Sequence, residues 1–153
     1  MTLAFVALGA NLGDARATVL KAMDDLSALP QSRLTACSSL YRSAPVDATG
    51  PDFINAVVAL ETALAPEALL IEMQRIEQGA GRERPYRNAP RTLDLDLLHH
   101  GEVRMETSTL TLPHPRLAER AFVLLPLAEI APERVTPEQL AAVASQAIER
   151  MDD

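Results

Sequence analysis

Tryptophan is absent, cysteine occurs once and lysine once, at Lys21, against thirteen arginines. The single thiol, Cys37, excludes an intrachain disulfide, and its alternating surroundings suit packing. With one lysine, the phosphate loop Gly-x-x-x-x-Gly-Lys-Ser/Thr is missing, so any phosphate recognition falls to arginine forks. A net charge of -7 leaves no broad positive field for nucleic acid or an anionic membrane. No run approaches the ~18–20 apolar residues of a membrane span. The opening Met-Thr-Leu-Ala-Phe-Val-Ala-Leu lacks a basic segment ahead of its apolar residues, so it reads as a buried strand and not a signal peptide. The expectation is a cytoplasmic protein, a monomer, that binds neither nucleic acid nor membrane.

What is present suits a folded core. The 153 residues are 48% hydrophobic and 23% charged, which fits one compact domain over 1–153. Residues 2–9 read as a strand closed by Gly9. A helix is expected over 14–29, where Val19, Met23, Leu26 and Leu29 recur at helical spacing before Pro30. Residues 33–41 alternate as a second strand, and 53–62 are β-rich as a third, after a loop holding Pro45, Gly50 and Pro51. Pro66 opens a second helix that Gly79 or Gly81 ends. Residues 92–99 alternate again as a fourth strand. Weaker strand signals follow at 102–105 and 108–112, then a short helix or turn over 116–125. Thr136-Pro-Glu-Gln139 is a capping box that predicts a last helix over 137–149. The order β-α-β-β-α-β with a C-terminal extension predicts an α+β fold with a ferredoxin-like core. Its sheet is mostly antiparallel, with helices on its faces.

The sharpest chemical signal is Leu93-Asp-Leu-Asp-Leu97. In a strand, alternate side chains share a face, so the leucines turn to the core. Asp94 and Asp96 turn together to the other side, their α-carbons roughly 6.5–7 Å apart by strand rise. Two carboxylates so placed suit magnesium with phosphate oxygens and water. A polar strand face paired with arginine is the bland alternative. Arg82, Arg84, Arg87 and Arg91 crowd into the loop just before, in a chain that is acidic elsewhere. A polyphosphate with its metal satisfies both sets of charges. Gln74 and Glu77 share a helix face leading into that loop, which spacing alone leaves readable as a solvated face. His114 sits between two prolines, with Arg120 nearby. Phe53 and Asn55 share a strand face, an aromatic with an amide, and Phe122 offers a second wall for a flat heterocycle. Core packing is the alternative for both phenylalanines.

Leu8-Gly-Ala-Asn-Leu-Gly13, Ser38-Ser-Leu-Tyr-Arg42, Pro51-Asp-Phe-Ile-Asn55, Gln74-Arg-Ile-Glu77, Gly81-Arg-Glu-Arg84, Pro90-Arg-Thr-Leu-Asp-Leu-Asp96, Leu112-Pro-His114 and Arg120-Ala-Phe122 follow in that order. Together they resemble the 6-hydroxymethyl-7,8-dihydropterin pyrophosphokinases of folate biosynthesis. The resemblance covers nearly the whole chain and is most specific in the Pro-Arg-Thr-Leu-Asp-Leu-Asp run. It implies pyrophosphate transfer from ATP to the hydroxymethyl oxygen of the dihydropterin, with release of AMP. It implies two magnesium ions on Asp94 and Asp96, with Arg82 and Arg91 stabilising charge. By the same resemblance Gln74, Glu77, Arg84, Leu97, Thr111, His114 and Arg120 join Arg82 and Arg91 around ATP. Phe53 and Phe122 would sandwich the pterin, with Asn55 and the backbone of Ser43, Ala44 and Val46 reading its edges.

The chain departs from the family pattern at three places. Asn88-Ala-Pro-Arg-Thr92 stands where some members have Trp-Gly-Pro-Arg-Thr, leaving Tyr86 as a partial substitute cover. Thr109 stands where some have arginine, and Phe53 where tyrosine is common. Two other readings compete: a binding module without turnover, and a metal-dependent phosphohydrolase.

Overall fold

The computed structural model describes residues 1–44, 51–80 and 93–151. Its centre is β1 (Thr2–Ala10), whose side chains are buried on both faces. Ala4, Val6 and Leu8 join one core, and Phe5 and Ala7 the other. β1 lies between β4 (Phe53–Thr62) and β5 (Asp94–His100), antiparallel to both. β4 also pairs with β2 (Ser32–Cys37) and β3 (Tyr41–Ser43). The order of the first, third and fourth predicted strands is that of a ferredoxin-like sheet, with helices α1 (Ala15–Ser27) and α2 (Pro66–Gly79) on one face.

Local chemistry sets these elements. Asp14 caps α1 by accepting the Ala17 N–H at 3.1 Å, and Val19, Ala22, Met23 and Leu26 form its buried stripe. α2 starts on Pro66 and buries Leu69 and Met73 against Val6, Leu8, Val58 and Leu60. The opposite face is covered by α3 (Ala121–Ile130), where Val123, Leu124 and Leu127 meet Phe5, Val57 and Leu98. The sheet is therefore enclosed by helices on both sides.

Three expectations are corrected. The strand expected over 33–41 is two strands. Ser38 accepts the Val57 N–H through its hydroxyl, and Ser39 gives its N–H to Glu129 and not to β4, so the ladder breaks between β2 and β3. The helix or turn expected over 116–125 is a 3-10 turn, Leu117–Glu119, followed by α3, which runs on through Pro126 to Ile130. The helix expected over 137–149 stops at Ala142. The capping box forms as read, with Thr136 and Gln139 bonding each other's backbone, but α4 (Pro137–Ala142) is short. The chain then adds β8 (Ile148–Arg150) to the open edge of β3. The backbone groups of that edge outweigh local helix propensity. The weak signals near 102–112 resolve into a small hairpin of β6 (Met105–Glu106) and β7 (Thr111–Leu112).

Candidate functional site

The alternation of β5 holds as read until a register shift opposite Phe5 and Val6. Leu93, Leu95 and Leu97 are buried, and Asp94 and Asp96 are half-buried on the other face. Leu98 continues the face of the aspartates and fills the α3 core, and at the shift His99 stays on that face, edge-on to the Phe5 ring. Asp94 and Asp96 open into a cavity of about 410 Å³ at the ends of β1, β3, β4 and β5.

The cavity brings together eight of the thirteen expected residues that are among the described ones. Phe53, Asn55, Ser43, Ala44, Arg120 and Phe122 line it with the two aspartates. β4 supplies Phe53 and the buried Asn55 two residues on. Ser43, also buried, donates its hydroxyl to Asn55 Oδ1 at 2.6 Å. The amide oxygen is thereby engaged inside the protein. Across the cavity, the Arg120 guanidinium stands 5.3 Å from the centre of the Phe122 ring, a cation–π pair.

Gly9 closes the floor. It pairs with Asn55 on one side and Asp94 on the other. A Cβ there would stand 3.2 Å from Asn55 Nδ2, so only glycine leaves that amide undisturbed.

His114 adjoins the cavity. Its Nε2 is 3.9 Å from Asp96 Oδ1, and its Nδ1 accepts the Arg116 N–H at 3.2 Å. That acceptor role puts the ring proton on Nε2, facing the carboxylate. Burial lowers the His114 pKa; Asp96 opposes this, and Arg120 and Arg116 push it further down.

The remaining expected residues that are described do not line the cavity. Glu77 is buried in α2 and accepts the Leu95 N–H at 2.8 Å, so the solvated-face alternative fails for it, while Gln74 is exposed. The Leu97 side chain packs in the core away from the cavity. Thr111 is in β7. Val46, Arg82, Arg84, Arg87 and Arg91, with Tyr86 and Asn88, lie outside the described residues.

Besides Ala7, Leu8 and Gly9 of β1, three polar lining residues were not anticipated: Arg116, Glu119 and Gln146. Arg116 and Glu119 form an exposed ion pair at 3.2 Å, and their spacing of three residues just after His114 is a signal the sequence reading passed over. Gln146 accepts the Ala121 N–H and donates to the Glu119 carbonyl, tying the start of α3 to the chain before β8. Its segment read as helix, which hid it.

The donor set suits magnesium. Asp94 and Asp96 offer hard oxygen ligands on one face of β5, both opening into the cavity. Two carboxylates that leave positions for phosphate and water are what this ion prefers.

Comparison with known proteins follows the same line. Residues 5–132 match the model of a family described as 7,8-dihydro-6-hydroxymethylpterin-pyrophosphokinase. A 2-amino-4-hydroxy-6-hydroxymethyldihydropteridine pyrophosphokinase of Pseudomonas aeruginosa is 46% identical over 154 residues, covering 96% of this chain and 95% of that one. One of Methylorubrum extorquens is 42% identical over 158 residues, covering 99% and 100%. A crystal structure of Plasmodium falciparum HPPK-DHPS wild type with SDX-DHP superposes with a TM-score of 0.66 at 15% identity, a likeness of fold. That match takes in 87% of this chain and 40% of the longer one. The chain belongs to the 7,8-dihydro-6-hydroxymethylpterin-pyrophosphokinase family.

Proposed function

We infer that this protein transfers pyrophosphate from ATP to the hydroxymethyl group of 6-hydroxymethyl-7,8-dihydropterin, giving AMP and the pterin diphosphate in folate biosynthesis. The observation that carries the reading is one cavity with two aspartates beside a cleft of two phenylalanines and a buried amide. The hydroxymethyl oxygen forms a bond to the β-phosphorus of ATP as the bond to the bridging oxygen of the leaving AMP breaks.

The chain's own part is placement and charge. Phe53 and Phe122 hold the flat ring, and Asn55, oriented by Ser43, reads its edge with the backbone of Ser43, Ala44 and Val46. Arg120 places positive charge at the mouth, and neutral His114 offers its Nε2–H to a phosphate oxygen or to Asp96. Gln74, Thr111, Arg82, Arg84 and Arg91 complete the nucleotide side in this reading, with Arg82 and Arg91 answering the charge that develops in transfer, and Glu77 serves that side from behind β5 through its bond to the Leu95 N–H. Leu97 contributes through its backbone, since its side chain is in the core. Asp94 and Asp96 would hold two magnesium ions, which when bound neutralise phosphate charge and polarise the phosphoryl oxygens. No helix among the described residues is long and apolar enough to cross a membrane. A cytoplasmic location goes with the use of ATP.

The test is AMP formation from ATP, which should require both magnesium and the hydroxymethyl-dihydropterin. Folded protein that makes no AMP refutes the reading. Phosphate released without an acceptor points to a phosphohydrolase, and ATP binding without product to a binding module. In the same assay Asp96→Ala should lower turnover by about a hundredfold or more, the scale of a lost metal contact. Its melting temperature should barely move, because the side chain is 42% exposed.

A further inference from the structure

We propose that Glu77 is a positioning residue: by bonding the Leu95 N–H it fixes the strand segment that aims Asp94 and Asp96 at their metal. The proposal rests on the reading above, in which those aspartates bind magnesium.

Among the described residues β5 is an edge strand, with β1 as its one ladder partner. In an antiparallel ladder, successive residues turn their backbone groups alternately toward the neighbour and away from it. Leu95 gives its N–H outward to Glu77 Oε2 at 2.8 Å, so Leu95 is an outward residue. Asp94 and Asp96, opposite Gly9 and Ala7, therefore turn their backbone inward to β1. The three-residue stretch is held from both sides: the aspartates by β1, and the leucine between them by a carboxylate from the last turn of α2.

The burial of Glu77 supports a dedicated role. The residue is only 5% exposed, and carboxylates are rarely so enclosed without a partner that needs them. Without an acceptor, a donor on an open edge exchanges with water and the strand end frays. Glu77 does not line the cavity of the aspartates, and Leu95 packs into the α1 and α2 core on the opposite side of the strand. Its influence on the metal is therefore indirect, through the pleat that sets the spacing of the two carboxylates. Magnesium tolerates little error in ligand geometry, so that spacing matters. Groups that orient metal ligands from behind typically alter metal affinity 10–100-fold when removed.

Two variants and two readouts test this. Glu77→Gln keeps a carbonyl acceptor for the Leu95 N–H, whereas Glu77→Met fills the space without one. The magnesium concentration for half-maximal binding of a non-hydrolysable ATP analogue, measured by calorimetry, should rise about tenfold in Glu77→Met. It should stay near wild type in Glu77→Gln. Hydrogen exchange at the Leu95 amide in the metal-free protein should accelerate in Glu77→Met and return to the wild-type rate in Glu77→Gln. A lowered melting temperature with unchanged magnesium dependence would leave Glu77 merely structural and overturn the proposal. An equal loss in both variants would do so too, since it would mean direct ligand contact through charge. If Glu77→Met does not fold, the wild-type Leu95 amide decides: it should be as protected as that of Asp96, and fast exchange there refutes the role. Wild-type protein that makes no AMP fails the proposed function, whereas an active wild type with indifferent Glu77 variants fails this inference alone.

Discussion

Asn55 has one amide and two sides to serve. Its oxygen accepts from Ser43, and its nitrogen lies over Gly9 at the cavity floor. Ser43→Ala removes the hydroxyl and leaves that oxygen buried without this donor, which costs about 1–3 kcal/mol of stability. The amide is then free to turn. The KM for the pterin is expected to rise roughly tenfold, the equivalent of about 1.4 kcal/mol, with the KM for ATP unchanged. Parallel steady-state titrations of the two substrates check this. Equal effects on both would mean the bond supports the fold in general and not the pterin cleft.

Among the elements, α3, β3 and β8 are joined through Glu129. Its carboxylate accepts the Ser39 N–H at 2.9 Å, the Ser39 hydroxyl at 3.0 Å and the Tyr41 hydroxyl at 2.7 Å, with Arg150 3.8 Å away. Burial alone would raise the Glu129 pKa, but Tyr41, Ser39 and Arg150 outweigh it and hold it below the ordinary carboxylate value. Burial and the same contact push Tyr41 up to about 12. With a lowered folded pKa, Glu129 binds protons less readily than in the unfolded chain. Its stabilisation is therefore complete above the ordinary carboxylate pKa and fades as pH falls through the folded one. Thermal melts from neutral pH into the acid range should show a shallower decline for Glu129→Gln than for wild type. An identical decline would place the acid sensitivity elsewhere.

This junction also marks where sequence reading stops. The strands β1, β4 and β5, the helix caps and the Asp-x-Asp face were legible because hydrophobic period and cap chemistry act within a few residues. The break between β2 and β3 was not, because its cause, Glu129, lies 90 residues from Ser39. β8 was hidden for the same reason: Ala141 to Gln146 has helical composition, and only the open edge of β3 makes Ile148–Arg150 a strand. At the site, the aspartates stood out by strand period, whereas Phe53 and Phe122 were as readable as core packing and took their expected roles, with Asn55, from the family resemblance. Glu77 was visible as a residue, but its bond to Leu95 depends on how α2 docks against β5.

The whole molecule is a sheet closed by helices on both faces, with the cavity at one end of the central strands. Five large apolar side chains stay exposed among the described residues, Met1, Leu3, Leu20, Ile71 and Val103. An exposed apolar side chain is ordinary on the surface of a monomer. We propose a monomer, for which light scattering should return the mass of one chain across the concentrations used for activity. A concentration-dependent mass would contradict it.

The pairing of β3 with β8 has a consequence for the order in which the protein is made. β3 carries Ser43 but gains its second neighbour only from Ile148–Arg150. On the ribosome, the earlier strands emerge long before β8, so the wall that orients Asn55 is finished last. Until translation has passed that strand, the segment that carries Ser43 is held by β4 alone and keeps one open edge.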